Sequence, residues 1–187
     1  MKTEIKNTAR FLLQGGVILY PTDTIWGIGC DATLDEPVER IFAIKQREDK
    51  KAMLILVDSV GMLEKYVDTI PDLALEIIAL SEQPLTIIYP GARGLAPNLI
   101  DKDGSVGIRI TQDPFCKGLL QSFCKPIVST SANIAGNPGP AFFNQISESI
   151  IASVDYAVDW HREDKTKRKP SGILKVGLKG EIEVIRK

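Results

Sequence analysis

Two patterns of apolar spacing alternate along the chain. Residues 4–14 repeat at helical spacing until Gly15 and Gly16 stop them, and the run Val17–Tyr20 that follows is a short apolar strand entering the segment Pro21–Thr24. Val38, Ile41, Phe42 and Lys45 recur with the period of a helix that Asp35 is able to cap, with Pro37 in its first turn. The same reading predicts strands at 53–57, 84–90, 106–110 and 126–130. It predicts helices at 71–82 and 113–123, the second starting on Asp113 and Pro114, and a short helix capped by Ser59. A turn-rich loop over 131–140 leads to a helix near 144–152 and a strand near 154–158. The polar tract 159–172 is predicted as an exposed loop, and residues 173–176 and 181–186 as a hairpin across Gly177–Gly180. Strands alternate with helices, but the end is rich in strands, so the predicted sheet is mixed.

Composition narrows the function. The chain has 187 residues, 44% of them hydrophobic and 25% charged, which suits one globular domain over 1–187 with a core that needs no cross-links. The net charge of −1 predicts no global attraction to nucleic acid, so any anion site must be a local cluster. Cys30, Cys116 and Cys124 are odd in number and lack a CxxC spacing, which speaks against a disulfide framework or a structural zinc site and for a reducing compartment. The N-terminal segment has no apolar signal region, and no apolar run approaches the roughly 20 residues of a membrane span. The expectation is a cytoplasmic protein without membrane contact. GxxxxGK[ST] and GxGxxG are absent, and the one histidine, His161, lies in the charged loop. An enzyme of this composition works by positioning and electrostatics rather than through a side-chain nucleophile.

Four segments carry candidate chemistry, and each has a bland reading beside it. The threonine hydroxyls of "PTDT" suit a small polar ligand or a plain turn. Lys45, Arg47, Lys50 and Lys51 suit phosphates, or a solvated helix end where cations complement the helix dipole and Glu48 and Asp49 pair them off. Arg109, in the strand "VGIRI", needs an anion, which is either a structural carboxylate or a ligand. "STSANIAG" is either a donor-rich site loop or an ordinary one.

Taken in order, "PTDTIWG", "KQR", "PLT", "VGIRI", "STSANIAG" and "PSGILKV…GEIEVIR" resemble the YrdC/TsaC family of threonylcarbamoyl-adenylate synthases from about residue 10 to residue 186, in its short form. Lys45-Gln46-Arg47 and Ser131-Ala132-Asn133 stand where that family has KxR and SxN. The resemblance implies a twisted open mixed α/β sheet flanked by helices, with a concave electropositive cavity. It implies the condensation of L-threonine, bicarbonate and ATP to threonylcarbamoyl-AMP and pyrophosphate, after which a separate transferase complex modifies tRNA. It implies Lys45 and Arg47 as catalytic cations. Thr22, Thr24, Arg109, Ser131 and Ser171 are implied around threonine, and Lys45, Arg47, Lys51, Ser105, Asn133 and Arg186 around ATP. Mg²⁺ is expected on the phosphates, with no dedicated protein metal site. The chain departs from the family pattern at Trp26, Glu48, Lys51-Ala52-Met53 and Gly172.

Two other functions fit the resemblance. One is a paralogue that grips double-stranded RNA or tRNA weakly through cationic surfaces, aided by the basic tract 165–170. The other is a carbamoyl-transfer enzyme like the related domain of hydrogenase maturation proteins, which belongs to a much larger chain with zinc-finger-like cysteines.

Overall fold

The computed structural model describes residues 1–46 and 53–187. Its helices, in chain order, are α1 (Lys2–Leu13), α2 (Asp35–Ile44), α3 (Val60–Leu63), α4 (Asp72–Leu80), α5 (Pro114–Phe123) and α6 (Glu148–Ser153). Its strands are β1 (Ile18–Tyr20), β2 (Gly27–Gly29), β3 (Leu54–Val57), β4 (Leu85–Tyr89), β5 (Val106–Ile110), β6 (Ile127–Ser131), β7 (Tyr156–Ala157), β8 (Gly172–Val176) and β9 (Ile182–Arg186). The strands form one nine-stranded sheet in the order β7-β1-β2-β6-β3-β5-β4-β8-β9. The pairs β1/β7, β3/β5 and β4/β8 are parallel and the rest antiparallel, so the sheet is mixed as the sequence predicts.

Local chemistry explains the helix boundaries. Asp113 caps α5 by accepting from the Cys116 N–H at 2.8 Å, and Ser59 caps α3 by accepting from the Met62 N–H at 3.2 Å. Asp35 is not a cap: Leu34 holds that position, and Asp35 is the first helical residue, its charge in the first turn where the helix dipole favours an anion. The segment predicted as a helix from 144 divides into a single 3-10 turn at Phe143–Gln145 and α6. α1 packs on α5, and Ile5, Ala9 and Leu12 of the first and Phe115, Leu119, Leu120 and Phe123 of the second are buried.

Strand alternation gives the sheet its two faces. Ile55, Ile108 and Ile87 pair in a row across β3, β5 and β4 on one face. Leu54, Arg109 and Ile88 alternate with them, and all three line the main cavity on the other face.

β2 is the element the apolar pattern misses, because "GIG" has no alternation to read. Pairing with β6 brings the two backbones so close that a Cβ on Gly29 would collide with the Val128 carbonyl and meet Tyr20 Cε1 at 2.7 Å. Glycine is required there for close approach rather than for a left-handed turn.

Gly29→Ala is expected to destabilise the protein by about 1–3 kcal/mol, lowering Tm by roughly 2–12 °C. Thermal and urea melts of both proteins check this, and an alanine variant as stable as the parent would show that the β2–β6 contact opens freely.

Candidate active site

A cavity of about 780 Å³ opens over the sheet face that carries Arg109, within the range typical of small-molecule sites. Its walls come from the loop before β2, the ends of β5 and β6, the loop after β6, and the last hairpin.

Arg109 is 2% exposed, and a cation so far from water needs partners. Its two terminal nitrogens face neighbouring residues of one loop. One lies 3.1 Å from Asp23 Oδ1, and the other donates to Thr24 Oγ1 at 3.3 Å. Thr24 Oγ1 is in turn 2.9 Å from Thr22 Oγ1, and Thr22 donates to the Ile25 carbonyl at 2.8 Å. The Nε of Arg109 has no hydrogen-bond acceptor among the described residues. Asp23 was not singled out from the sequence. The signal was present, because an arginine on an apolar strand demands a carboxylate and "PTDT" contains one. Burial pushes the Asp23 carboxyl above its usual range, against the opposing pull of the Arg109 charge.

Ser131 and Asn133 line the cavity beside that loop, where β6 pairs with β2, and Ser171 and Arg186 line it from the β8–β9 side. Arg186 donates from Nε to the Ser171 carbonyl at 2.9 Å, and the Ser171 hydroxyl lies 2.9 Å from that of Thr86. Burial and, second, the charge of Arg109 hold Arg186 below the usual guanidinium value. Two guanidinium groups thus line one cavity. A register skip aims the second one. Ile173 pairs with Arg186, but Leu174 pairs with Val184, so Ile185 is an extra residue on β9. Strict alternation would turn one of Ile185 and Arg186 away, yet both line the cavity.

The remaining candidates sit elsewhere. Lys45 is 3% exposed, and its ammonium donates to the carbonyls of Ser131 and Asn133, the latter at 2.8 Å. It ties the backbone of the Ser131–Asn133 loop to the end of α2. Thr22 is one layer back from the cavity, bordering a small cleft shared with Thr24, His161, Asp164 and Arg168. Part of the tract predicted as exposed loop therefore folds against the threonine segment. Ser105 is buried and donates to Asp103 Oδ1 at 2.6 Å, outside the cavity lining. Arg47 and Lys51, with Glu48, Asp49, Lys50 and Ala52, lie outside the described residues.

No thiol or histidine lines the cavity among the described residues. Nor do the described residues include a group of three or more His, Cys, Asp or Glu able to hold a metal ion. No helix among them is long and apolar enough to cross a membrane. The fold and site therefore define an α/β protein with a cavity whose polar lining is two arginines, several hydroxyls, the amides of Asn133 and Asn137, and the Asp101 carboxylate, set among apolar side chains.

A family model covering Sua5, YciO and YrdC proteins, described as "Telomere recombination", matches residues 10–187, and the chain belongs to this family. It is 37% identical to a protein of Pseudoalteromonas translucida named threonylcarbamoyl-AMP synthase, over 79% of this chain and 81% of that one. E. coli YciO superposes with a TM-score of 0.85 at 22% identity, covering all of this chain and 90% of the other. P. abyssi Sua5 complexed with L-threonine superposes with a TM-score of 0.84 at 23% identity, covering 94% of this chain. The chain spans about half (52%) of the length of that archaeal protein.

Burial pushes the thiols of Cys30 and Cys116 well above the usual cysteine value, while Cys124 is exposed. A chromogenic disulfide reagent is expected to titrate one thiol, Cys124, in the folded protein and all three in denaturant. Rapid reaction of Cys30 or Cys116 in the native state would contradict the packing described.

Proposed function

We propose that this chain is an L-threonylcarbamoyladenylate synthase, a nucleotidyltransferase serving threonylcarbamoyladenosine modification of tRNA. The observation that carries the reading is the cavity itself. Arg109 and Arg186 line it together with Ser131, Asn133 and Ser171, and no cysteine, histidine or lysine is among its described lining residues.

The chemistry matches those residue types. The amine of L-threonine attacks bicarbonate and water leaves, giving a carbamate without help from a protein nucleophile. A carbamate oxygen then attacks the α-phosphate of ATP, the bond to the β-phosphate breaks, and pyrophosphate departs. The protein's work is to hold two anions together and to offset charge spreading over the phosphate oxygens. Arg109, with Thr24 beside it, takes the amino-acid carboxylate. Ser131 and Asn133, on the loop that Lys45 pins, face substrate and nucleotide, and Arg186 with Ser171 closes the nucleotide side. Arg47 and Lys51 are assigned to the phosphates on the family resemblance. Asp101 is the one carboxylate among the described lining residues, which fits a Mg²⁺ ion carried by phosphate oxygens and water rather than by a protein cage. When bound, such an ion screens the triphosphate charge. The product passes to a separate threonylcarbamoyl transferase, and the setting is cytoplasmic.

The test supplies ATP, bicarbonate and a panel of amino acids and follows pyrophosphate. Threonine-dependent pyrophosphate with an AMP-linked product is expected. ADP and phosphate instead would sink the mechanism, and tight, salt-insensitive RNA binding without pyrophosphate would favour the RNA-binding alternative.

Arg186→Ala is expected to raise KM for ATP by about 10- to 100-fold, the worth of one charge-assisted hydrogen bond to a phosphate. Its melt should move little, because the residue lies on an exposed edge strand. Steady-state kinetics at varied ATP check this, and an unchanged KM would remove Arg186 from the nucleotide site.

A further inference from the structure

We propose that Asp23 is a positioning residue for substrate binding, holding the Arg109 guanidinium in the one orientation that presents it to the carboxylate of the amino-acid substrate. The inference rests on the synthase reading and adds to it a residue that contacts no ligand.

The geometry is specific. Arg109 reaches the cavity from β5, and its long side chain has many rotamers to choose among. Two adjacent residues hold it, Asp23 as an ion pair at 3.1 Å from one terminal nitrogen and Thr24 accepting a hydrogen bond at 3.3 Å from the other. Asp23 does not line the main cavity, so its charge acts through Arg109 rather than on the ligand. It borders instead a second cavity of about 290 Å³ on the opposite face of the sheet, with Ile87, Ile108, Ile110 and Asp113. It thus stands at the partition between the two cavities. Thr111 steadies it from β5's end, with its hydroxyl 3.5 Å from Asp23 Oδ2.

Two effects of removing the carboxylate compete. Taking away a negative charge would by itself strengthen attraction between Arg109 and an incoming anion. Against this, Arg109 would become an unpaired cation at 2% exposure, which a protein interior does not tolerate. The guanidinium then turns toward the open volume beside it, which is the ligand's own space. Misplacement of a binding group by about 1 Å can cost roughly a hundredfold, so the loss of orientation dominates.

The test compares wild type, Asp23→Asn and Asp23→Glu. The Asn variant keeps the shape and removes the charge. The Glu variant keeps the charge on a longer arm, and the second cavity gives it room. Threonine binding is measured by calorimetry and by the rise in Tm that threonine produces, and KM and kcat are measured for threonine and for ATP. Asp23→Asn is expected to raise KM and Kd for threonine by about 10- to 100-fold. KM for ATP should stay within about threefold, with Asp23→Glu falling between wild type and Asn for threonine. A purely structural role would weaken both substrates together and follow the melt. Unchanged or tighter threonine binding in Asp23→Asn overturns the proposal, as does an equal loss for both substrates. If the Asn variant fails to fold, a folded Glu variant with unaltered KM for threonine overturns it equally. If the wild-type protein binds no threonine, the proposed function itself fails and takes this inference with it.

Discussion

A guanidinium cannot stay in the interior of a sheet without an anion, and this requirement organises the site. Arg109 sits on β5 at 2% exposure, and Asp23 and Thr24 come to it from the β1–β2 turn. β1 and β2 must therefore end where that turn overlies β5, although two other strands separate β2 from β5 in the sheet. After the turn, β2 lies so close to β6 that glycine is needed at position 29. The antiparallel β2–β6 pairing also brings Ser131 opposite Gly27, which puts the loop after β6 beside the turn. The geometry of one buried cation thus fixes the relation between three separate segments of sequence.

Much of this was legible in the chain, for identifiable reasons. Most helices and strands announced themselves by their spacing, because each buries one face or both. The site was legible as an ordered set of short motifs, although no single one was informative. The structure brings Thr24, Arg109, Ser131, Asn133, Ser171 and Arg186 around one cavity from positions more than 160 residues apart.

What escaped the sequence has physical causes too. β2 carries its information in backbone proximity, which leaves glycine and no hydrophobic signature. The reach of Lys45 toward the carbonyls of Ser131 and Asn133 depends on how a loop 86 residues away is folded, and a cation cluster read as surface charge gives no hint of it. Thr22 and Ser105 are polar residues of the right kind, but hydroxyls also settle neighbouring backbone and carboxylate groups, and both are engaged that way. Asp23 looked like a turn residue because turn-forming aspartates and buried counter-ions are the same letter.

The displaced register between β8 and β9 has a topological consequence. It turns Arg186, the last residue of the edge strand, toward the cavity mouth. Polypeptide joined after that position in a longer family member would begin at the rim of the site. A tether of a few residues there holds whatever it carries at an effective concentration on the order of millimolar, without a new contact being needed. The bulge thus makes the end of this sheet part of the cavity lining rather than a bare edge.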